Sequence, residues 1–144
     1  MNQNEEIRVL YVQPGKYPEE IKIPNTLETF QKYVCGSIES VRLDRDAYII
    51  CNDEGKLLPL PPNRLYGPTD FFAGPFLICG DGGEDLISLT DSQIIKYEKK
   101  YHSPLIFLEL YPEPITLKCT PELYAKFMGE EHQHDTQGNE RDER

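Results

Sequence analysis

No two of the four cysteines, Cys35, Cys51, Cys79 and Cys119, lie close enough for a C-x-x-C pair or a zinc-knuckle spacing. Cys51 and Cys79 fall in apolar runs and Cys35 near a helix end, so small buried thiols in a reducing cytoplasm are the expectation. No segment approaches the roughly 18 consecutive apolar residues of a membrane span, and the polar, acidic residues 1–6 do not read as a secretion signal. Positive charge is scarce: 15 Lys and Arg stand against 25 Asp and Glu, a formal net charge of -10. That excludes general affinity for nucleic acid, where cations must displace counterions from phosphates. It leaves room for an acidic protein that occupies a basic site on a partner, with plain solubility as the simpler reason for the charge. The chain has no G-x-S-x-G motif, and Gly80-Asp81-Gly82-Gly83 lacks the G-K-[ST] ending of a phosphate loop, so it reads as a mobile turn or lid. His102 follows a lysine-rich helix end, where a cation suits the dipole. Glu130, His132, His134 and Asp135 carry metal-ligating atoms but sit in a stretch without apolar support, so no metal and no cofactor is expected.

What is present is enough for one domain: 144 residues, with nine tyrosines and six phenylalanines as large buryable surfaces. Ile7–Val12 and Glu20–Ile23, joined by Pro14-Gly15, read as an opening hairpin. Asn25 with Glu28 suggests a capping box, followed by a helix over 26–35 that buries Leu27, Phe30 and Val34 and leaves through Gly36. Ile38–Leu43, Ala47–Cys51 and Lys56–Leu60 read as strands, the last two as a hairpin across Asn52-Asp53-Glu54-Gly55 with Gly55 at positive φ. Residues 63–74 read as loop, and Pro75–Cys79 as a buried strand. Thr90-Asp91-Ser92-Gln93 is a second capping box, with Leu89 and Ile94 at staple positions. Leu105–Leu110 and Ile115–Lys118 are strands, and Thr120-Pro121 opens a last helix that ends at Gly129. The expected fold is α+β: a mixed, mainly antiparallel sheet with two or three short helices, spanning 1–129, then an acidic disordered tail over 130–144.

The polar set Asn52, Glu54, Lys56, Asn63 and Arg64 is the candidate ligand site. A guanidinium beside an asparagine suits a carboxylate or phosphate, and Asn52 suits an amide or base edge. The alternative is structural, with turn-forming asparagines and an Arg64 that pairs to an acid such as Glu39 or Glu54. Tyr66, Phe71 and Phe72, with Phe76, form either a core flap or an exposed partner surface. Glu39, Glu54 or Asp70 with Lys56 would serve a small carboxylate-dependent hydrolase if they converge in a deep pocket. A structural or assembly accessory would need none of them.

The succession V-Q-P-G (12–15), L-E-T-F-Q-K-Y-V (27–34) before Gly36, Ile38-Glu39, I-C-N-D-E-G-K-L-L-P-L-P-P-N-R (50–64), G-P-F-L-I-C-G (74–80) and S-L-T-D (88–91) resembles domain-of-unknown-function family 3846 of bacteria, phages and mobile elements. The resemblance spans about residues 7–100. It implies a setting in which neighbours often counter host defences, and it brings no biochemical activity. On this basis the expected role is non-enzymatic binding of a host protein or of a small anionic, nucleotide-like ligand in the host cytoplasm, with no nucleic-acid or membrane partner. A homodimer is compatible with that role.

Overall fold

A strand covered on both faces loses the polar–apolar alternation of a half-buried one, and Phe76–Asp81, with five successive buried residues, marks the centre of the fold. The computed structural model describes residues 5–68, 70–108 and 115–129. Its main sheet is built from β1 (Glu6–Val12), β2 (Glu19–Pro24), β3 (Ile38–Asp44), β4 (Ala47–Asn52) and β7 (Phe76–Asp81), in the order β2-β1-β7-β4-β3. Every pairing is antiparallel, and short β8 (Leu86–Ile87) adds to β7. β5 (Pro62–Tyr66) with β6 (Asp70–Ala73), and β9 (Leu105–Leu108) with β10 (Ile115–Lys118), form two separate hairpins. Helices α1 (Leu27–Val34), α2 (Asp91–Lys100) and α3 (121–129) complete an α+β domain.

The sheet divides the core by strand alternation. Ile7, Val9, Ile50, Leu77 and Cys79 face Phe30 and Val34 of α1. Leu10, Val12, Ile49, Phe76 and Ile78 face the other way, onto Leu89, Tyr97 and Tyr101 around α2 and onto Phe72 of β6. The α2 capping box forms as expected: Thr90 accepts from the Gln93 amide, and the Gln93 side chain accepts from the Thr90 amide at 2.8 Å. Buried Leu89 shares the core with Ile94 at the staple positions. Thr120 caps α3 through the Leu123 amide. Tyr124 of α3 lies against Gly15, where an added Cβ would meet its ring at 2.2 Å.

Several local expectations change. Thr26, not Asn25, caps α1 by accepting from the Thr29 amide; Asn25 is buried and its Nδ2 donates to the Leu86 carbonyl. Leu27 is 45% exposed. The left-handed exit residue of α1 is Cys35 (φ 69°), with Gly36 (φ 150°) behind it. β4 pairs with β3 and β7, so there is no 47–60 hairpin; residues 53–59 are turns rather than a strand. Gly55 is not at positive φ: it is needed because a Cβ would come within 2.6 Å of the Ala73 carbonyl oxygen. Residues 63–74 are not a loop but contain most of the β5–β6 hairpin. Gly80 and Asp81 extend β7, and the turn is pinned by Gly83 donating to Asp81 and by Arg42 paired with Asp81, which leaves no free lid there. The last residues of the Leu105–Leu110 strand and the expected tail over 130–144 lie outside the described residues.

Candidate functional site

β4 ends at Asn52, whose side chain is used up by the fold. Its Nδ2 donates to the Val34 carbonyl at 3.1 Å and its Oδ1 accepts from the Glu54 amide at 2.7 Å, an Asx-type turn that starts the 53–58 segment. The Glu54 carbonyl then accepts from Leu57 and Leu58, and the turn carries Asp53, Glu54, Lys56 and Leu57 outward.

Asn63 and Arg64 go the opposite way. Asn63 Nδ2 donates to the carbonyls of Val12 (3.0 Å) and Gly74 (2.9 Å), and its Oδ1 accepts from Arg64 Nη1 (2.9 Å). Arg64 is 2% exposed, with Nε on the Tyr101 carbonyl (2.9 Å) and Nη2 on the Lys16 carbonyl (2.7 Å). The pair therefore ties together the end of β1, the turn after it, the β6–β7 junction and the end of α2. Burial lowers the Arg64 pKa to about 10, so the guanidinium stays charged at neutral pH. No described carboxylate pairs with it; the expected partners Glu39 and Glu54 are elsewhere, both exposed. The five candidate ligand residues do not share one solvent-facing spot: Asn52, Asn63 and Arg64 are buried braces, and only Glu54 and Lys56 are exposed.

Those two belong to a different grouping. A cleft of about 210 Å³ opens between the β3–β4 end, the 53–58 turn and the β5–β6 hairpin. Glu39, Asp53, Glu54 and Asp70 line it with Lys56, and Tyr66, Phe71 and Phe72 form the aromatic wall. Lys56 pairs with Asp70 and lies over the Phe71 ring at 4.7 Å from its centroid. That hydrogen bond, with one from the Phe71 amide, holds the Asp70 carboxyl below its ordinary range. Of the three candidate partner-surface rings, Tyr66 is exposed and Phe71 half-buried against Phe107, while Phe72 is a core residue packed on Phe76. Leu57 is 83% exposed on the same rim. Glu39 and Asp70 lie 31 positions apart and share this cleft only through tertiary packing, which no local pattern signals. Asp53, in sequence a turn residue, joins them because the turn exits toward the cleft.

Other candidates resolve as structural. His102 pairs with Glu98 and stacks on Tyr17 (centroids 4.5 Å apart, 18° between planes). Cys51 and Cys79 are buried, and desolvation pushes both thiols up to about 12; Cys35 is exposed and Cys119 partly so. Among the described residues no group of three or more His, Cys, Asp or Glu is placed to hold a metal, and the 130–135 set lies outside them. No described helix is long and apolar enough to cross a membrane.

An α+β domain with a small acidic, aromatic-walled cleft is the class of protein these features define. The chain matches the family described as "Domain of unknown function (DUF3846)" over residues 7–102, and it belongs to that family. No curated protein and no solved structure matches it. The match closes at the end of α2, so β9, β10 and α3 lie beyond it.

Proposed function

We propose that this chain is a non-enzymatic binding protein of a phage or mobile element, which counteracts host defence by seating a cationic segment of a host protein in the acidic cleft. The observation that carries this reading is the cleft's composition: four carboxylates against one lysine, that lysine already paired, beside an aromatic wall and an exposed Leu57. A carboxylate beside an aromatic face suits a lysine or arginine side chain, and the seat of Lys56 on Phe71 and Asp70 is an internal example of that chemistry. Exposed apolar side chains at the rim suit a protein more than a small solute. The net charge of -10 would speed encounter with a basic surface. The phage setting and the host target rest on the family resemblance alone.

The convergence of Glu39, Glu54 and Asp70 near Lys56 raises the alternative of a hydrolase. All three acids are exposed. They face water rather than the dry, enclosed pocket that acid–base catalysis favours, and binding is the better reading.

The test is affinity capture from host lysate with the wild-type chain and with Asp53→Lys/Glu54→Lys. The expected result is a partner retained by the wild type, released by salt, and lost by at least about tenfold in affinity in the variant, since like charge now faces like. A partner held equally by both, or none held by a correctly folded wild type, would overturn the reading.

A further inference from the structure

The molecule has a second cleft of opposite sign. It measures about 410 Å³ and lies between the end of α2, the β5–β6 turn and the β9–β10 hairpin. Lys99, Lys100 and Lys118 line it, together with Ser103, Thr116 and the buried Arg64. No described carboxylate lines it, in a chain where acids outnumber bases by 25 to 15. In two other clefts that hold a lysine, that lysine is paired: Lys56 with Asp70, and Lys96 with Asp44. Lys99, Lys100 and Lys118 make no ion pair with a described carboxylate.

We propose that this cleft binds a small phosphate-bearing ligand, a site separate from the acidic cleft and independent of the function proposed for it.

Two features point to an anion rather than to incidental lysines. The first is Arg64. Each of its nitrogens bonds carbonyl or amide oxygens, which are neutral and leave its charge unmatched. A buried cation is ordinarily matched by an anion, because desolvation is costly without one. The described residues supply none, and an anion in the cleft would. The second is the origin of the lysines. A helix C-terminus favours Lys99 and Lys100 through the macrodipole. That does not account for Lys118, which arrives from β10, a strand beyond the family match, and faces the same opening.

Phosphate fits this donor set because it accepts several charge-assisted hydrogen bonds at once while carrying close to two charges. Ser103 and Thr116 add neutral donors. The volume lies within the range of about 300–1,000 Å³ usual for small-molecule sites. A long polyanion is disfavoured because the surrounding protein is strongly acidic, which repels nucleic acid as a polymer but leaves one short anion to the local lysines.

The experiment is titration of the full chain, at low ionic strength, with inorganic pyrophosphate and separately with ATP, followed by backbone amide shifts. The expected result is saturable shifts at Lys100, Ser103 and Thr116 with at least one probe, weakened about tenfold or more by Lys99→Ala/Lys118→Ala, whose exposed side chains leave the fold alone. Tighter binding of ATP would identify a nucleotide, and equal or tighter binding of pyrophosphate the phosphate group by itself. Asp53→Lys/Glu54→Lys should leave these shifts in place, so the two clefts stand or fall separately. Absence of saturable shifts with both probes, or shifts that survive loss of both lysines, would overturn the proposal.

Discussion

Asn52 to Lys56 and Pro62 to Arg64 are near neighbours in sequence and equally polar, yet they meet opposite fates. The first stretch turns outward after a single buried asparagine and presents Asp53, Glu54 and Lys56 to a cleft. The second turns inward and places an amide and a guanidinium among five backbone carbonyls. The contrast gives a usable criterion. A polar side chain whose polar atoms are all engaged by backbone groups belongs to the frame. One that meets only water or another exposed side chain is free to meet a partner.

The comparison breaks most visibly at Arg64. Arg64→Ala should cost about 3 kcal/mol of stability, because it removes charge-assisted bonds and leaves the Tyr101 and Lys16 carbonyls buried without a donor. Arg64→Lys should recover little, since one ammonium cannot span the positions a guanidinium fork reaches. The urea midpoint measures both, and an Arg64→Ala chain that melts like the wild type would assign Arg64 to the site instead of the frame.

Alkaline pH sharpens the same contrast. The buried thiols of Cys51 and Cys79 are raised from 9.0 to about 12, chiefly by desolvation. The folded state therefore keeps protons that the unfolded state gives up. The stability they contribute is fully present below about pH 9 and is lost as pH rises from there toward 12. Urea midpoints should fall over this window, and Cys51→Ser/Cys79→Ser should flatten the slope. A wild-type midpoint independent of pH there would show the thiols to be accessible.

The smallest effect is expected at the exposed end. Lys56→Ala breaks a pair with Asp70 in which both side chains are half exposed, so it should cost no more than about 0.5 kcal/mol. A larger loss by thermal melting would make Lys56 a brace like Arg64.

The main sheet and α2 were legible because their signals are local. The β-branched, apolar make-up of β1, the alternation in β2, the unbroken apolar run of β7 and the reciprocal capping box of α2 each depend on neighbouring residues. The β5–β6 hairpin was hidden because Pro62 and Gly67-Pro68 read as loop, although a proline is tolerated as the first residue of a strand. A register shift between Pro62 and Arg64 then breaks the two-residue period, so Asn63 and Arg64 both turn inward. The apolar Leu57-Leu58 resembled a strand, yet both side chains are exposed in a turn. Neither cleft could be read in advance. Glu39 meets Asp70, and Lys99 meets Lys118, only through packing between elements distant along the chain.

The main sheet, as far as the described residues go, ends in open margins on both sides. Among the described residues β2 and β3 each have one strand neighbour and so one unpaired row of backbone groups. Glu19, Glu20 and Lys22 stud the first margin, and Glu39, Arg42 and Asp44 the second. Charged side chains along an unpaired strand make it costly for another copy to zip on. Charge along these rims therefore disfavours edge-to-edge growth of the sheet, and steers any pairing of two copies toward some other surface.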